Sequence, residues 1–534
     1  MSDKERAYEL INEGKYEEAF SIINSLLNES EINNADNRDE LYYLLGNIEL
    51  SNKNFALAKA LFEKALSLNP NSACINNNLG VSHKNLGYVV ESRKYFEEAI
   101  RLVSVNAAAN KAEWQRSMSM YVSNYASVYA AHGEPEKSIS INKTALDIVA
   151  AYNKNILESN LTEEEKKKKL SRTNMRALWN IAIASLEMGN YEQGFRLYDH
   201  GFDIELGLLK LRHYPKIPLW RGEKCKTLLI YGDQGLGDEI MYASILPDII
   251  KTHNVILECH PRLISLFKRA FPGVPAYPTR KDEIGADWTQ EHEIDAAVSM
   301  CLIPKYYRTK KEDFPGKPYL FADKDGDADV NARLKTLNRR LKVGISWAGG
   351  TVDTGKKYRN ISLNELKPLL DMDCVDFISL QYTKETQESV EKFKKETGIT
   401  IHHWQEVVDD YDKTACLLMN LDLVISVPQS VIHLSGALGV RTLQLCPKYS
   451  MWQCGRYGED APWYKSVVNI WQSTPYEWTN VIKEAKDILE NVNLEKIRNL
   501  VEHSIISSCG VEGIKVDFEK EASNEPNINS EESS

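Results

Sequence analysis

Small and apolar residues recur along the first third of the chain at a spacing that predicts paired helices. Leu45-Gly46, Phe55, Ala58, Phe62, Ala65 and Pro70 return as Leu79-Gly80, Val89, Ser92, Phe96 and Ala99, with Leu45/Leu79, Phe62/Phe96 and Ala65/Ala99 all 34 positions apart. A partial earlier copy holds Gly14, Tyr16 and Ala19; later copies hold Gly133, Ser138 and Ala145, then Gly189, Tyr191, Gly194 and Tyr198. The step from Ala99 to Ala145 is 46, an insertion of 12 in that unit. A second insertion carries the charge run Glu163–Lys169, expected to be a solvated helical face. About five helical pairs are predicted to stack into a curved solenoid ending near Asp203.

Past Gly207 the pattern changes. Tyr214, Pro215, Ile217, Pro218 and Trp220 suit an extended linker lying on the next domain. Seven strand-like segments follow, at 227–231, 255–258, 295–298, 342–347, 376–380, 423–427 and 442–445. Amphipathic stretches of helical length, such as 364–370, 386–397 and 431–438, alternate with them. This order predicts parallel sheets covered by helices. The polar segment 321–340 divides the strands into two sets. The expected layout is a helical solenoid over 1–205, a linker over 206–225, one α/β half over 226–325 and a second over 341–507. Residues 491–507 read as a helix, and 510–534 as a disordered acidic tail. The fold class is α + α/β, and a ligand is expected at the carboxyl ends of the strands.

Composition narrows the function classes. Hydrophobic residues make up 43% of 534 and charged ones 26%, the balance of an ordinary globular chain of two to four domains. A net charge of −11 argues against nonspecific nucleic-acid binding and against an anionic-membrane anchor. Nine cysteines are scattered without a CxxC pair or metal-type His/Cys spacing, as in a reducing cytosol. The opening MSDKERAYEL lacks the apolar stretch of a signal peptide, and no apolar run reaches spanning length. A cytoplasmic protein with no membrane span is expected.

Two segments carry candidate chemistry. After strand 227–231, Gly232, Gly235 and Gly237 are expected to turn the backbone sharply and let it approach a ligand. Asp238 then stands where an apolar-faced helix begins. Unpaired N–H groups and the helix dipole favour anions there, and an acid in that place suits proton chemistry better than phosphate holding. A solvated helix cap is the open alternative for Asp238. The spacing is not GxGxxG, so a dinucleotide reading is disfavoured. In the second set, Val424, Ile425 and Val427 lead to Pro428-Gln429-Ser430 and a helix bearing His433, Gly436, Ala437 and Gly439. Ser430 is expected as the cap, first-turn amides could hold a phosphate, and His433 could donate to that phosphate or to a sugar oxygen. A purely structural histidine is the alternative. The acidic run 323–329 lacks the twelfth-position glutamate of a calcium loop and reads as a linker. Trp347, Trp452 and Trp463 could stack on a base or sugar, with Trp452 and Arg456 the best placed in a loop.

The repeats resemble the tetratricopeptide repeat. The rest resembles the heptosyltransferase-type, GT-B glycosyltransferases, specifically the proteins that join such repeats to that domain. The likeness is carried by the glycine-rich turn with Asp238 and downstream Leu246-Pro247, VGISWAGG at 343–350 with Arg359 following, ISLQ at 378–381, SVIHLSGALG at 430–439 and MWQCGRYGEDAPWY at 451–464. It extends to about Trp471. The resemblance implies a GT-B-like pair of doubly wound Rossmann-like halves. It implies transfer of a sugar from a nucleotide-diphosphate sugar, with no cofactor and no metal, to a protein or glycan acceptor. Asp238 would be the general base. Gly235, Gly237, Lys357, Arg359, Gln429, Ser430, His433, Trp452 and Arg456 would bind donor or substrate. Lys357 and Arg359 would add positive charge at the diphosphate, a solvated basic loop being their alternative. The repeats would recruit a protein or peptide, and no nucleic acid. One departure stands out: the family usually has Asp-Thr or Asp-Ser where this chain has Pro428-Gln429. That difference keeps a rival in view, a noncatalytic adaptor carrying a degenerate transferase-like domain.

Overall fold

Five helical pairs build the N-terminal solenoid: Asp3–Asn12 with Tyr16–Asn33, Arg38–Ser51 with Phe55–Leu68, Ala73–Leu86 with Val89–Val105, Lys111–Ala130 with Pro135–Leu157, and Thr173–Glu187 with Tyr191–Leu197. The computed structural model describes residues 3–33, 38–105, 111–170, 173–202, 214, 216–278, 287–322, 327–350 and 356–491. Repetition in sequence becomes repetition of one contact. A Cβ on Gly46 would meet the Phe62 ring at 2.5 Å, and one on Gly80 the Phe96 ring at 2.8 Å. Only a missing side chain lets these rings enter between paired helices. Ala58, Ala65 and Ala99 are wholly buried at the same joints. The turn within a pair needs positive φ, supplied by Gly87 (84°), Gly133 (69°) and Gly189 (76°). In the second pair the equivalent residue is Lys53, held at 63°. The insertions lengthen the fourth pair to helices of 20 and 23 residues and add the short helix Glu163–Lys169 without ending the stack.

Two parallel sheets follow. The first contains β1 (Thr227–Tyr231), β2 (Asn254–Cys259), β3 (Ala276–Pro278) and β4 (Ala296–Ser299), in the order β3-β2-β1-β4. The second contains β5 (Leu341–Ser346), β6 (Val375–Ser379), β7 (Ile401–His403), β8 (Leu423–Ser426), β9 (Thr442–Cys446) and β10 (Val467–Trp471), in the order β10-β9-β8-β5-β6-β7. That is a doubly wound sheet whose order reverses between β5 and β8; in the first sheet the reversal falls between β1 and β4. Central strands are apolar on both faces because helices cover both. The seven expected strands are all present. The three added ones, β3, β7 and β10, lie at sheet edges, where short length and polar residues such as His402, His403 and Asn469 weaken the apolar signal.

The parts share one core. Leu186, Tyr191, Phe195 and Tyr198 of the last repeat pack into the same cluster as Leu228 and Ile240 of the first half and Val431 and Trp463 of the second. The two halves also meet through Arg269, which forms two 2.8 Å bonds to Asp412, and through Tyr319 and Leu320, whose N–H groups donate to the Ala437 carbonyl at 2.9 and 3.1 Å. The linker residues Tyr214 and Trp220 are buried against the first half, as expected. Among the described residues no helix is long and apolar enough to cross a membrane. The helix expected at 491–507, the tail at 510–534 and part of the acidic run, 323–326, lie outside the described residues.

Candidate functional site

Strand ends from both halves converge on a cavity of about 360 Å³, a volume in the range of small-molecule sites. The loop after β1 contributes Gly235, Gly237 and Asp238; the loops after β5 and β8 contribute Gly350, Arg359, Gln429, Ser430 and His433. Residues 195 positions apart, Asp238 and His433, thus line one space. Both sheets point their order-reversal loops at it.

The glycines work differently from expectation. None of Gly232, Gly235 and Gly237 has a positive φ. Gly237 lies inside the helix Leu236–Ala243, where a Cβ would stand 2.9 Å from His433 Cδ2 and 3.1 Å from Ser430 Cα. It is needed so that this helix can approach the helix Ser430–Leu438. A Cβ on Gly232 would collide with the buried Glu239 carboxylate, which accepts the His260 N–H at 2.7 Å. Asp238 sits in the first helical turn, half-buried, and accepts the Gly235 N–H at 3.0 Å. The cap and the cavity-lining roles therefore coexist in one side chain.

Arg359 is not a solvated loop residue. It is 5% exposed and ties the two reversal loops together, donating from Nε to the Gly349 carbonyl at 3.1 Å and from Nη1 to the Pro428 carbonyl at 3.0 Å. Gly350, at φ 80°, makes room for it: a Cβ there would lie 1.4 Å from Nη2. Burial lowers the guanidinium from its ordinary value, while neighbours including Asp238 oppose that shift. Arginine stays protonated at neutral pH, so a fixed positive charge lines the cavity. The Lys357 side chain lies outside the described residues.

Ser430 is the first helical residue rather than the cap. Its hydroxyl accepts from Tyr411 Oη at 2.8 Å. Gln429 occupies the cap position but does not cap: its Nε2 turns inward to donate to Ser346 Oγ and to Ser426 Oγ. Gln429 Oε1 is buried without a partner among the described residues. Gln429 is therefore a brace at the sheet end. The helix has no side-chain cap, and its first residue, Ser430, lines the cavity; such a terminus is suited to an anion.

His433 is held against buried tyrosines: Nδ1 stands 3.2 Å from Tyr464 Oη, and Tyr319 Oη donates to the Ile240 carbonyl at 2.5 Å. Burial, then the charge of Arg359, pull the imidazole down to about 4. His433 is thus neutral at pH 7, and a neutral imidazole can pair with a sugar hydroxyl in either tautomer.

Two expected residues lie elsewhere. Trp452 is buried edge-on against Phe195 (5.7 Å between centroids) and Tyr198 (6.0 Å), at the joint with the solenoid. Its ring is used in packing, as most buried tryptophans are. Arg456 is exposed and lines a separate surface hollow with Gly133 and Tyr457. Sequence reasoning missed Arg262, Tyr382 and Tyr411, which also line the cavity. Arg262 reaches across the halves to the Asp409 carbonyl at 2.8 Å and stacks its guanidinium 4.6 Å from the Tyr411 ring centroid. Its position just past the end of β2 was the available signal.

Residues 39–72 match the family described as tetratricopeptide repeat. The solenoid thus contains a tetratricopeptide repeat at 39–72, and two parallel α/β halves follow it. Protein FlbA of Caulobacter vibrioides is 27% identical over 441 residues, covering 78% of this chain and 67% of that protein. Among solved structures, the ADP-heptose lps heptosyltransferase II of E. coli is 14% identical with a TM-score of 0.38, covering 53% of this chain and 100% of its own. The glycosyl transferase family 9 protein of Veillonella parvula is 9% identical with a TM-score of 0.37, covering 54% and 99%.

Proposed function

We propose that this tetratricopeptide-repeat protein is a glycosyltransferase that moves a sugar from a nucleotide-diphosphate sugar to an acceptor recruited by its repeats. One observation carries the reading: a carboxylate, a buried guanidinium, an uncapped helix N-terminus and a neutral imidazole line the same cavity at the strand ends of two α/β halves. Asp238 is the general base that takes the acceptor hydroxyl proton, a role typically contributing about 10²–10⁴-fold in rate. The departing diphosphate gathers charge as the glycosidic bond breaks, and Arg359 with the leading amides of the Ser430 helix stabilises it. His433 Nε2 orients a donor sugar hydroxyl. No metal or cofactor enters this scheme. Eight cysteines among the described residues are free thiols, which fits a reducing compartment such as the cytoplasm.

The adaptor reading has its own observation: Gln429 turns its carboxamide into the sheet end, so the reversal loop brings no acid to the cavity. Thermal shift with ADP, GDP, UDP and their sugars separates the two. Stabilisation grows as RT ln(1 + [L]/Kd), about 2.7 kcal/mol at a hundredfold excess over Kd. A melting shift with one nucleotide, followed by its release from the matching sugar, supports the transferase. Identical melting with every nucleotide moves the assignment to the adaptor.

A further inference from the structure

A second cavity of about 460 Å³ lies between the solenoid and the loops that follow β9 and β10. It adjoins the first, because Arg359, Met451 and Gln453 line both. One wall belongs to the helices Lys111–Ala130 and Thr173–Glu187, the other to the second α/β half.

Three side chains on its lining have unmet bonding capacity. Gln472 is 1% exposed, and its Oε1 accepts the N–H groups of Lys448 (3.2 Å) and Tyr476 (3.3 Å). Those two donors fix the amide orientation, and Nε2 then donates to nothing in the described protein. On the solenoid side, His132 Nδ1 donates to the Val128 carbonyl at 2.8 Å. That leaves Nε2 as a buried lone pair without a partner among the described residues. Burial lowers the His132 imidazole, so it stays a neutral acceptor. Glu187 forms no hydrogen bond or ion pair with the described residues, and burial raises its carboxyl to about 8. A buried polar group left unpaired costs about 1–3 kcal/mol. A donor, an acceptor and an uncommitted carboxyl among the rings of Trp179, Tyr449 and Tyr476 make a site that an occupant completes.

We propose that this cavity holds the acceptor, an extended polypeptide segment whose hydroxyl-bearing side chain passes Arg359 and Gln453 to reach Asp238. The proposal rests on the glycosyltransferase reading above. A peptide main chain offers N–H and C=O groups in alternation, matching the His132 lone pair and the Gln472 amide. The nucleotide is assigned to the adjoining cavity, where Arg359 and the uncapped end of the Ser430 helix meet, while Glu187, protonated at neutral pH, offers this cavity a neutral hydrogen-bond donor. A polypeptide is favoured over a glycan because the repeats supply half of the wall. An extended chain, at about 3.3–3.6 Å per residue, can continue along a solenoid beyond the cavity.

The test uses the full chain with an array of dodecapeptides bearing central serine or threonine, beside an array of neutral and acidic oligosaccharides. Ala131 is exposed on the cavity lining, so Ala131→Trp fills the space without entering the core. Peptides are expected to bind the unmutated protein and to bind Ala131→Trp at least tenfold more weakly, with nucleoside diphosphate affinity within twofold. If Ala131→Trp melts early, Glu187→Ala decides, with a threefold or greater loss of peptide affinity expected. No peptide binding, binding unchanged by the variants, or retention of oligosaccharides alone overturns the proposal. Peptide binding that Ala131→Trp abolishes, in a protein that binds no nucleoside diphosphate, sustains the cavity assignment and overturns the transferase reading.

Discussion

His433 offers a direct test of the electrostatics in the first cavity. Its folded-state imidazole titrates at about 4 against an ordinary 6.5, lowered by burial and by Arg359. The unfolded chain therefore takes up a proton near pH 6.5 that the folded chain refuses until about pH 4. Stability supplied by the neutral imidazole is complete above pH 6.5 and lost as pH falls. Its slope approaches ~1.4 kcal/mol per pH unit, on the order of 3 kcal/mol across the window. His433→Gln removes the titration while keeping a polar group beside Tyr464. Urea unfolding from pH 7.5 to 4.5 should show the unmutated protein losing stability relative to His433→Gln by roughly this amount, with m unchanged. The same chemistry predicts that a nucleoside diphosphate binds more tightly as pH falls from 7 towards 5, because a protonated imidazole brings a positive charge and two donors to it. A difference between the two proteins that stays flat with pH would show that His433 titrates normally, and the effect ascribed to burial and Arg359 would then be wrong.

Asp238→Asn keeps an oxygen for the Gly235 N–H, so it should melt like the parent while transfer falls by about 10²–10⁴-fold; transfer at the parental rate removes Asp238 as the base. Gly350→Ala adds a Cβ where the Arg359 guanidinium lies and strains a φ of 80°. It should cost about 1–2 kcal/mol from the backbone alone and weaken nucleotide binding, and calorimetry finding neither would break the Arg359 assignment. Lys53→Gly relieves a side chain held at φ 63°. Against the added freedom of the unfolded chain it should raise stability by up to ~1 kcal/mol, and a lowered melting temperature would contradict the shared turn geometry of the repeats.

Much of the architecture could be read from the residues in order. A contact that repeats in space must repeat in sequence, so the Gly46–Phe62 joint and its copy at Gly80–Phe96 announced the solenoid at a period of 34. The buried strands of parallel sheets are apolar on both faces, so β1 and β8 were legible as short apolar runs. The edge strands β3, β7 and β10 were not, and in β10 the reason is plain: one side faces solvent and Val468 is 46% exposed. The two loops that carry Asp238 and His433 were also legible, since strand ends in such sheets are where ligands bind.

Which side chains of those loops would face the cavity was decided only by the fold. Gln429 and Trp452 carry the groups expected of ligand contacts, yet one braces Ser346 and Ser426 and the other seats the solenoid on the second half. Arg262 and Tyr411 are 149 positions apart and meet only because the halves dock. The neutrality of His433 depends on its burial and on Arg359, which comes from a separate segment of the chain. Sequence determines periodicity and local backbone chemistry because these act between near neighbours in the chain. Burial, charge proximity and hydrogen-bond direction act through space, and so only the tertiary structure fixed them.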